Sequence, residues 1–200
     1  IANLNHGYIP TFYNYGTIIN LGNIYNNFGQ FNNEPGGIIT NDGGSLNTID
    51  NSGDFENKLG AYIYNKGNSI INNYGTGTLK NVSIIDNSGG TINNDGGTIN
   101  NETGGTINNR NNSGFNGIIN NTGVINNKNG AYVVITHGGG FEASIFNTAG
   151  YVVNNDGTFQ VYNSAVLDLD INFKNNVSNG IVCSGGVING TPAGFPPGTC

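Results

Sequence analysis

His6 and His137 are the only histidines in the chain and the only side chains whose ordinary titration would serve proton transfer near neutrality. His137 stands in Val133-Val134-Ile135-Thr136-His137-Gly138-Gly139-Gly140, a strand running into a flexible turn. That glycine run lacks the lysine and the following helix that a phosphate cradle needs, so His137 reads as a loop residue. Asp168 and Asp170 alternate in Leu167-Asp168-Leu169-Asp170-Ile171-Asn172-Phe173, which predicts both on one face of a strand. A carboxylate pair is what glycoside hydrolysis requires. Such hydrolysis also needs a cluster of Asp, Lys or Arg in a groove, and the pair reads as a solvated strand face instead. Asp42, Asp95 and Asp156 each precede a glycine, as the aspartate of a calcium-binding nonapeptide does, but the other ligand positions are not maintained. No residue is assigned a catalytic, cofactor-binding or metal-binding role, and the chain is expected not to be an enzyme.

The aromatic residues are more informative. If Ile63 points inward, strand alternation sends Tyr62 and Tyr64 outward, and it places Tyr132 likewise beside Val133. Each Ile-Ile pair must also turn one member away from the core. Outward aromatic and aliphatic residues on a chain with few charges either pack against a partner or lie beneath a flanking segment. Tyr62, Tyr64 and Tyr132 are therefore candidate assembly or lateral contacts. Thr91, Thr98 and Thr106 recur once per repeat; in a three-sided coil they fall on three different faces and form no single threonine array of the kind that binds ice. Glycan acceptor triplets begin at Asn81, Asn101, Asn111, Asn120, Asn176 and Asn189, a number that chance alone produces in a chain so rich in asparagine.

The elements that position these residues come from a short repeat. Gly90-Thr91-Ile92-Asn93-Asn94, Gly97-Thr98-Ile99-Asn100-Asn101 and Gly105-Thr106-Ile107-Asn108-Asn109 follow one another. Looser copies place Ile24, Phe31, Ile38, Leu46, Phe55, Ile63 and Ile70 before this tract, and Ile118, Ile125, Val133, Ile145, Val152 and Phe159 after it. A helical heptad would carry a glycine in each repeat, at a cost of about 1 kcal/mol apiece. A strand plus a turn fits better: a few residues alternate around one inward isoleucine, and Gly or Asn takes the corner. So short a unit cannot bury its own apolar face, and becomes stable only when coils stack with parallel pairing. The expected core ladder is Ile92, Ile99, Ile107, Ile118 and Ile125. Three units per coil would make a coil of about 22 residues, roughly six or seven coils over 16–164, and a stack on the order of 30 Å tall. Two units per coil would give a flatter, longer stack, and periodicity leaves the choice open. Asparagines one rung apart can bond amide to amide along the axis, and Asn tolerates the left-handed corner.

Composition agrees with this all-β reading. Of 200 residues, 34 are glycine and about a fifth asparagine, methionine is absent, and charged residues make up 9%. The apolar residues are mainly Ile, Val, Phe and Tyr, which suit a pleated surface, and their regular spacing argues against disorder. A net charge of -6 speaks against a nucleic-acid partner and against an electrostatic hold on an anionic membrane. No apolar run has the length of a membrane-inserted helix. The first residue, Ile1, is expected to follow a removed secretion signal. Cys183 and Cys200, the only cysteines, would in an exported chain most simply form a disulfide with each other, the alternative being a bond between subunits.

Runs such as Asn87-Ser88-Gly89-Gly90-Thr91-Ile92 resemble the coils of filamentous-haemagglutinin-like adhesins and autotransporter passengers, right-handed parallel β-helices on bacterial surfaces. The Gly-Thr-Ile-Asn-Asn tract is similar to the Asn/Gly-rich repeats of archaeal sheath and surface-filament proteins. The likeness spans 16–164. It implies a parallel β-solenoid at the cell surface, with self-assembly or glycan binding as the expected partnerships.

The expected organisation is one domain. Residues 1–164 form the solenoid, including an extended segment at 1–15, and 165–200 supply a strand from Val166 to Phe173 and a Cys- and Pro-containing tail. Neither terminus reads as a helical cap, and an uncapped solenoid offers rows of unpaired backbone groups. The expectation is therefore a structural subunit of an extracellular filament, sheath or cell-surface layer that polymerises as a homopolymer through parallel β contacts, with Leu169 in a terminal strand at the junction. A surface adhesin module binding glycans through outward tyrosines is the alternative, and a polysaccharide-active β-helix enzyme the third reading.

Overall fold

The computed structural model describes residues 2–4, 11–43, 47–112, 114–136, 143–147, 152–162, 166–168, 173–175, 181–184, 187–189 and 198–199. Within them every regular element is a β-strand, and the strands stack into a solenoid with three faces. Thr91–Asp95 lies on the first face, Thr98–Asn101 on the second and Thr106–Arg110 on the third. One coil is thus three units. Among the described residues the strands of successive coils pair in parallel, save for Gly198–Thr199, which runs antiparallel to Val187–Asn189. Isolated antiparallel bridges join Lys66 to Gly89 and Tyr74 to Gly96. The second and third faces are each eight strands deep among the described residues, about 34 Å at the usual strand spacing. Coil length varies because corners absorb insertions: 19 residues separate the paired Phe12 and Phe31, and 28 separate Ile125 and Val153.

Period-two alternation explains what lies inside. In Thr98-Ile99-Asn100-Asn101 the burial runs half-buried, buried, half-buried, buried, so the isoleucine and the second asparagine both point inward. The same pattern repeats in Thr106–Arg110 and Val124–Asn127. Ile92, Ile99, Ile107 and Ile125 are all buried, with Phe31, Phe55 and Leu79 continuing the second-face column. Phe31 meets Phe55 edge to face at 4.7 Å between ring centroids, a favoured aromatic geometry.

One expected core residue is corrected. Ile118 is half-buried on the outer surface, and Ile119 takes the inward position. The same holds at Ile38-Ile39, Ile70-Ile71 and Ile84-Ile85, where the second member is buried. The cause is the inward asparagine, which sits two residues after the inward apolar residue; Asn121 therefore selects Ile119, and Asn41 selects Ile39. At Ile18-Ile19-Asn20 the same rule selects Ile18 and leaves Ile19 66% exposed. The expected strand from Val166 to Phe173 is also divided. Val166–Asp168 stacks on the first face and Phe173–Asn175 on the second, while Ile181–Ser184 adds to the third. The stacking therefore continues beyond residue 164.

Glycine is required where backbone of one coil rests on backbone of the next. A Cβ at Gly123 would lie well inside contact distance of the Gly97 carbonyl oxygen and 2.9 Å from the Gly97 nitrogen. Neither backbone atom can move without breaking the rung. Gly123→Ala is expected to cost about 2–4 kcal/mol. Gly60 differs: its φ is +82°, and a Cβ there would meet no atom within 4 Å. Gly60→Ala should cost only the left-handed penalty of about 1 kcal/mol. Urea melts of the two variants check this ranking, and equal losses would contradict it.

Candidate functional site

The dominant polar feature is a set of buried amide ladders. On the second face, Nδ2 of Asn14, Asn33, Asn57, Asn81, Asn101 and Asn127 donates in turn to Oδ1 of the next asparagine, ending on Asn155, at 2.8–2.9 Å. The first face carries Asn26, Asn51, Asn73, Asn94 and Asn121 at 2.7–2.8 Å. The third carries Asn20, Asn41, Asn65, Asn87 and Asn109 at the same spacing. Each Nδ2 also reaches backbone carbonyls, as Asn81 does to Ser83 at 3.0 Å and Thr106 at 3.1 Å. This bonding lets a neutral amide occupy a dry interior that would otherwise penalise it. It also removes Asn81 and Asn101, both fully buried, from the usable glycan acceptors.

The ladders share one direction: the donor always belongs to the earlier coil. Aligned amides polarise one another, so the column has an acceptor side and a donor side. The third-face column changes chemistry part-way. Ile135 and then Val161 occupy the register of Asn109, and Cys183 pairs in register with Val161. Both Ile135 and Val161 are fully buried. Apolar residues there replace amide bonding by burial of surface.

An outer amide row on the first face runs the other way. Nδ2 of Asn120 donates to Asn93, Nδ2 of Asn93 to Asn72, and Nδ2 of Asn72 to Oδ1 of Asp50, at 2.9, 2.9 and 2.7 Å. It ends on the carboxylate of Asp50, which can only accept. The repeat pattern alone does not reveal this row. A signal for it lies in the doubled asparagine, since alternation makes one member of each Asn-Asn pair face outward.

Ion pairs also link successive coils. Lys58 meets Glu34 at 2.7 Å, Lys80 meets Glu56 at 2.8 Å, and Arg110 grips Asp86 with two bonds at 2.9 and 2.6 Å. The bond to Glu34 raises the Lys58 pKa above its usual value despite partial burial, and the bond to Asp86 does the same for Arg110. The cations reach solvent while Glu34 and Asp86 are buried, and each pair adds on the order of 1 kcal/mol.

The three candidate tyrosines all lie on the third face. Tyr62 pairs in register with Ile84, Ile84 with Thr106, and Thr106 with Tyr132. Tyr62 and Tyr64 are half-buried and stacked, with centroids 6.1 Å apart and planes 6° apart, while Tyr132 is exposed. Lys66 Nζ sits 5.0 Å from the centre of the Tyr64 ring, close enough for a cation–π contact. Thr91, Thr98 and Thr106 fall on three separate faces.

Asp42, Asp95 and Asp156 stand at strand ends on three different faces and do not converge. Among the described residues no three His, Cys, Asp or Glu side chains gather as a metal site would require. His6, His137, Leu169, Asp170 and Cys200 lie outside the described residues, and with them the Cys183–Cys200 pairing and the Asp168–Asp170 pair. No helix among the described residues is long and apolar enough to cross a membrane.

No protein-family model and no curated protein matches this chain. Among solved structures, it is similar to a TibC-catalysed hyper-glycosylated fragment of TibA, at 14% identity and a TM-score of 0.13, over 92% of this chain and 96% of that one. A score at that level carries no argument.

Proposed function

We propose that the chain is a non-catalytic structural subunit of an extracellular filament, sheath or cell-surface layer, assembling with copies of itself through parallel β contacts. The supporting observation is the shared polarity of the inner ladders. Coils whose ladder asparagines all donate in one sense are complementary to like coils in the same orientation, as successive coils within the chain are to one another. Such a head-to-tail contact is heterologous, and it propagates unless a rotation closes it. Parallel backbone pairing of the kind that joins successive coils would reinforce it. Lateral packing would fall to the third face, where Tyr62, Tyr64 and Tyr132 share one sheet surface.

With few charges available, added salt should alter assembly little. Electron microscopy and sedimentation over a range of protein and salt concentrations test the reading. Ordered fibres or sheets that persist in high salt are expected. Monodisperse particles at every concentration would overturn it.

A further inference from the structure

We propose that the outer surface of the first face is a binding groove for a neutral polysaccharide. The groove consists of two shallow depressions of about 410 and 280 Å³ that share Tyr74 in their walls. Tyr25 flanks the smaller one. These two tyrosines are 42% and 40% exposed, and each presents a flat ring of the kind that packs against the apolar face of a pyranose. Between them stands Asp50, in register with Tyr25 on one side and Asn72 on the other.

Strand register makes the groove linear. Tyr25, Asp50, Asn72, Asn93 and Asn120 form one column along the solenoid axis. Beside it, Thr122 Oγ1 donates to Asp95 at 3.0 Å, and Ser52 Oγ to Asn27 at 2.9 Å. At least one polar side chain thus recurs in each coil, at about 4.8 Å, over a span of roughly 19 Å. A repeating row of donors and acceptors suits a polymer of repeating hydroxyls better than one compact ligand.

Charge selects the class of polymer. The walls of the two depressions contain no lysine or arginine, but they do contain Asp50 and Asp95, and the chain as a whole is acidic. An anionic polysaccharide would meet repulsion here. The Tyr74 phenol is shifted to higher pKa, chiefly by burial and then by Asp50, so it stays neutral and able to donate around neutral pH. A third depression, on the second face beside Tyr13, is lined by Lys58 and Lys80 as well as by acids. It provides a built-in comparison. The first-face groove lies within a single chain, so it stands or falls independently of self-assembly.

The test is electrophoresis of the folded protein through native gels containing a soluble neutral glucan, mannan or galactan, with polygalacturonate as the anionic counterpart. Tyrosine emission provides a second readout, unobscured because the chain has no tryptophan. Retardation by at least one neutral polymer and not by polygalacturonate is expected. Tyr74→Ala should weaken it about tenfold, Tyr25→Ala several-fold, and Tyr13→Ala on the second face not at all, with circular dichroism confirming that each variant is folded. Failure of all three neutral polymers to bind, a preference for polygalacturonate, or unchanged binding by both folded first-face variants would overturn the proposal.

Discussion

Asn81→Asp should destabilise the protein by about 4 kcal/mol or more at neutral pH, although it exchanges one NH₂ group for an oxygen. Asn81 is fully buried, and its Nδ2 faces three acceptors: Asn101 Oδ1 at 2.8 Å, Ser83 O at 3.0 Å and Thr106 O at 3.1 Å. A carboxylate would set a charged acceptor against all three, in a setting where an unpaired charge costs several kcal/mol. Burial and the facing acceptors both favour the protonated acid, which regains one donor, so its folded-state pKa lies above the unfolded value near 3.9. The folded state then binds more protons than the unfolded one between those two values, and stability rises as pH falls through that window. The penalty is complete above the folded-state pKa and is partly relieved near pH 4. Asn93→Asp, in the half-buried outer row, should cost about 1 kcal/mol or less. Urea midpoints of both variants at acid and neutral pH decide the matter; parent-like stability for Asn81→Asp would remove the ladder from its place in the fold.

Ile99→Asn should cost roughly 4 kcal/mol and lower the melting temperature by about 10 °C, if unfolding is two-state. Ile99 is 2% exposed and stacks between Leu79 and Ile125 in register. The substitution removes buried apolar surface and leaves an amide without partners in the central column. It differs from the ladder asparagines only in position: two residues later, at Asn101, the same amide has a donor below and an acceptor above. Ile118→Asn makes the comparison sharp, because Ile118 is half-buried on the outer surface, and its loss should be about 1 kcal/mol or less. Calorimetric melts showing equal losses for Ile99 and Ile118 would show that inward and outward positions have been exchanged.

The sequence by itself determined the unit. Gly-Thr-Ile-Asn-Asn encodes a short strand with an inward isoleucine and a corner that needs glycine or asparagine, because alternation and backbone sterics act within a few residues. Stacking and the possibility of amide ladders followed, since so short a strand has no other way to satisfy its backbone. What lay beyond local physics was decided by the tertiary structure. Three units per coil, Ile119 rather than Ile118 inside, and the gathering of Tyr62, Tyr64 and Tyr132 on one face all depend on register between residues a whole coil apart. The groove of Tyr25, Asp50 and Tyr74 has the same origin. Its members are separated in the chain by 25 and 24 positions, and no local pattern shows that successive coils bring them side by side. The direction of each amide row is likewise a property of the assembled column, since an isolated asparagine can turn either way. Only neighbours above and below, with the glycine-tight corners, leave each ladder asparagine one arrangement that satisfies its buried amide.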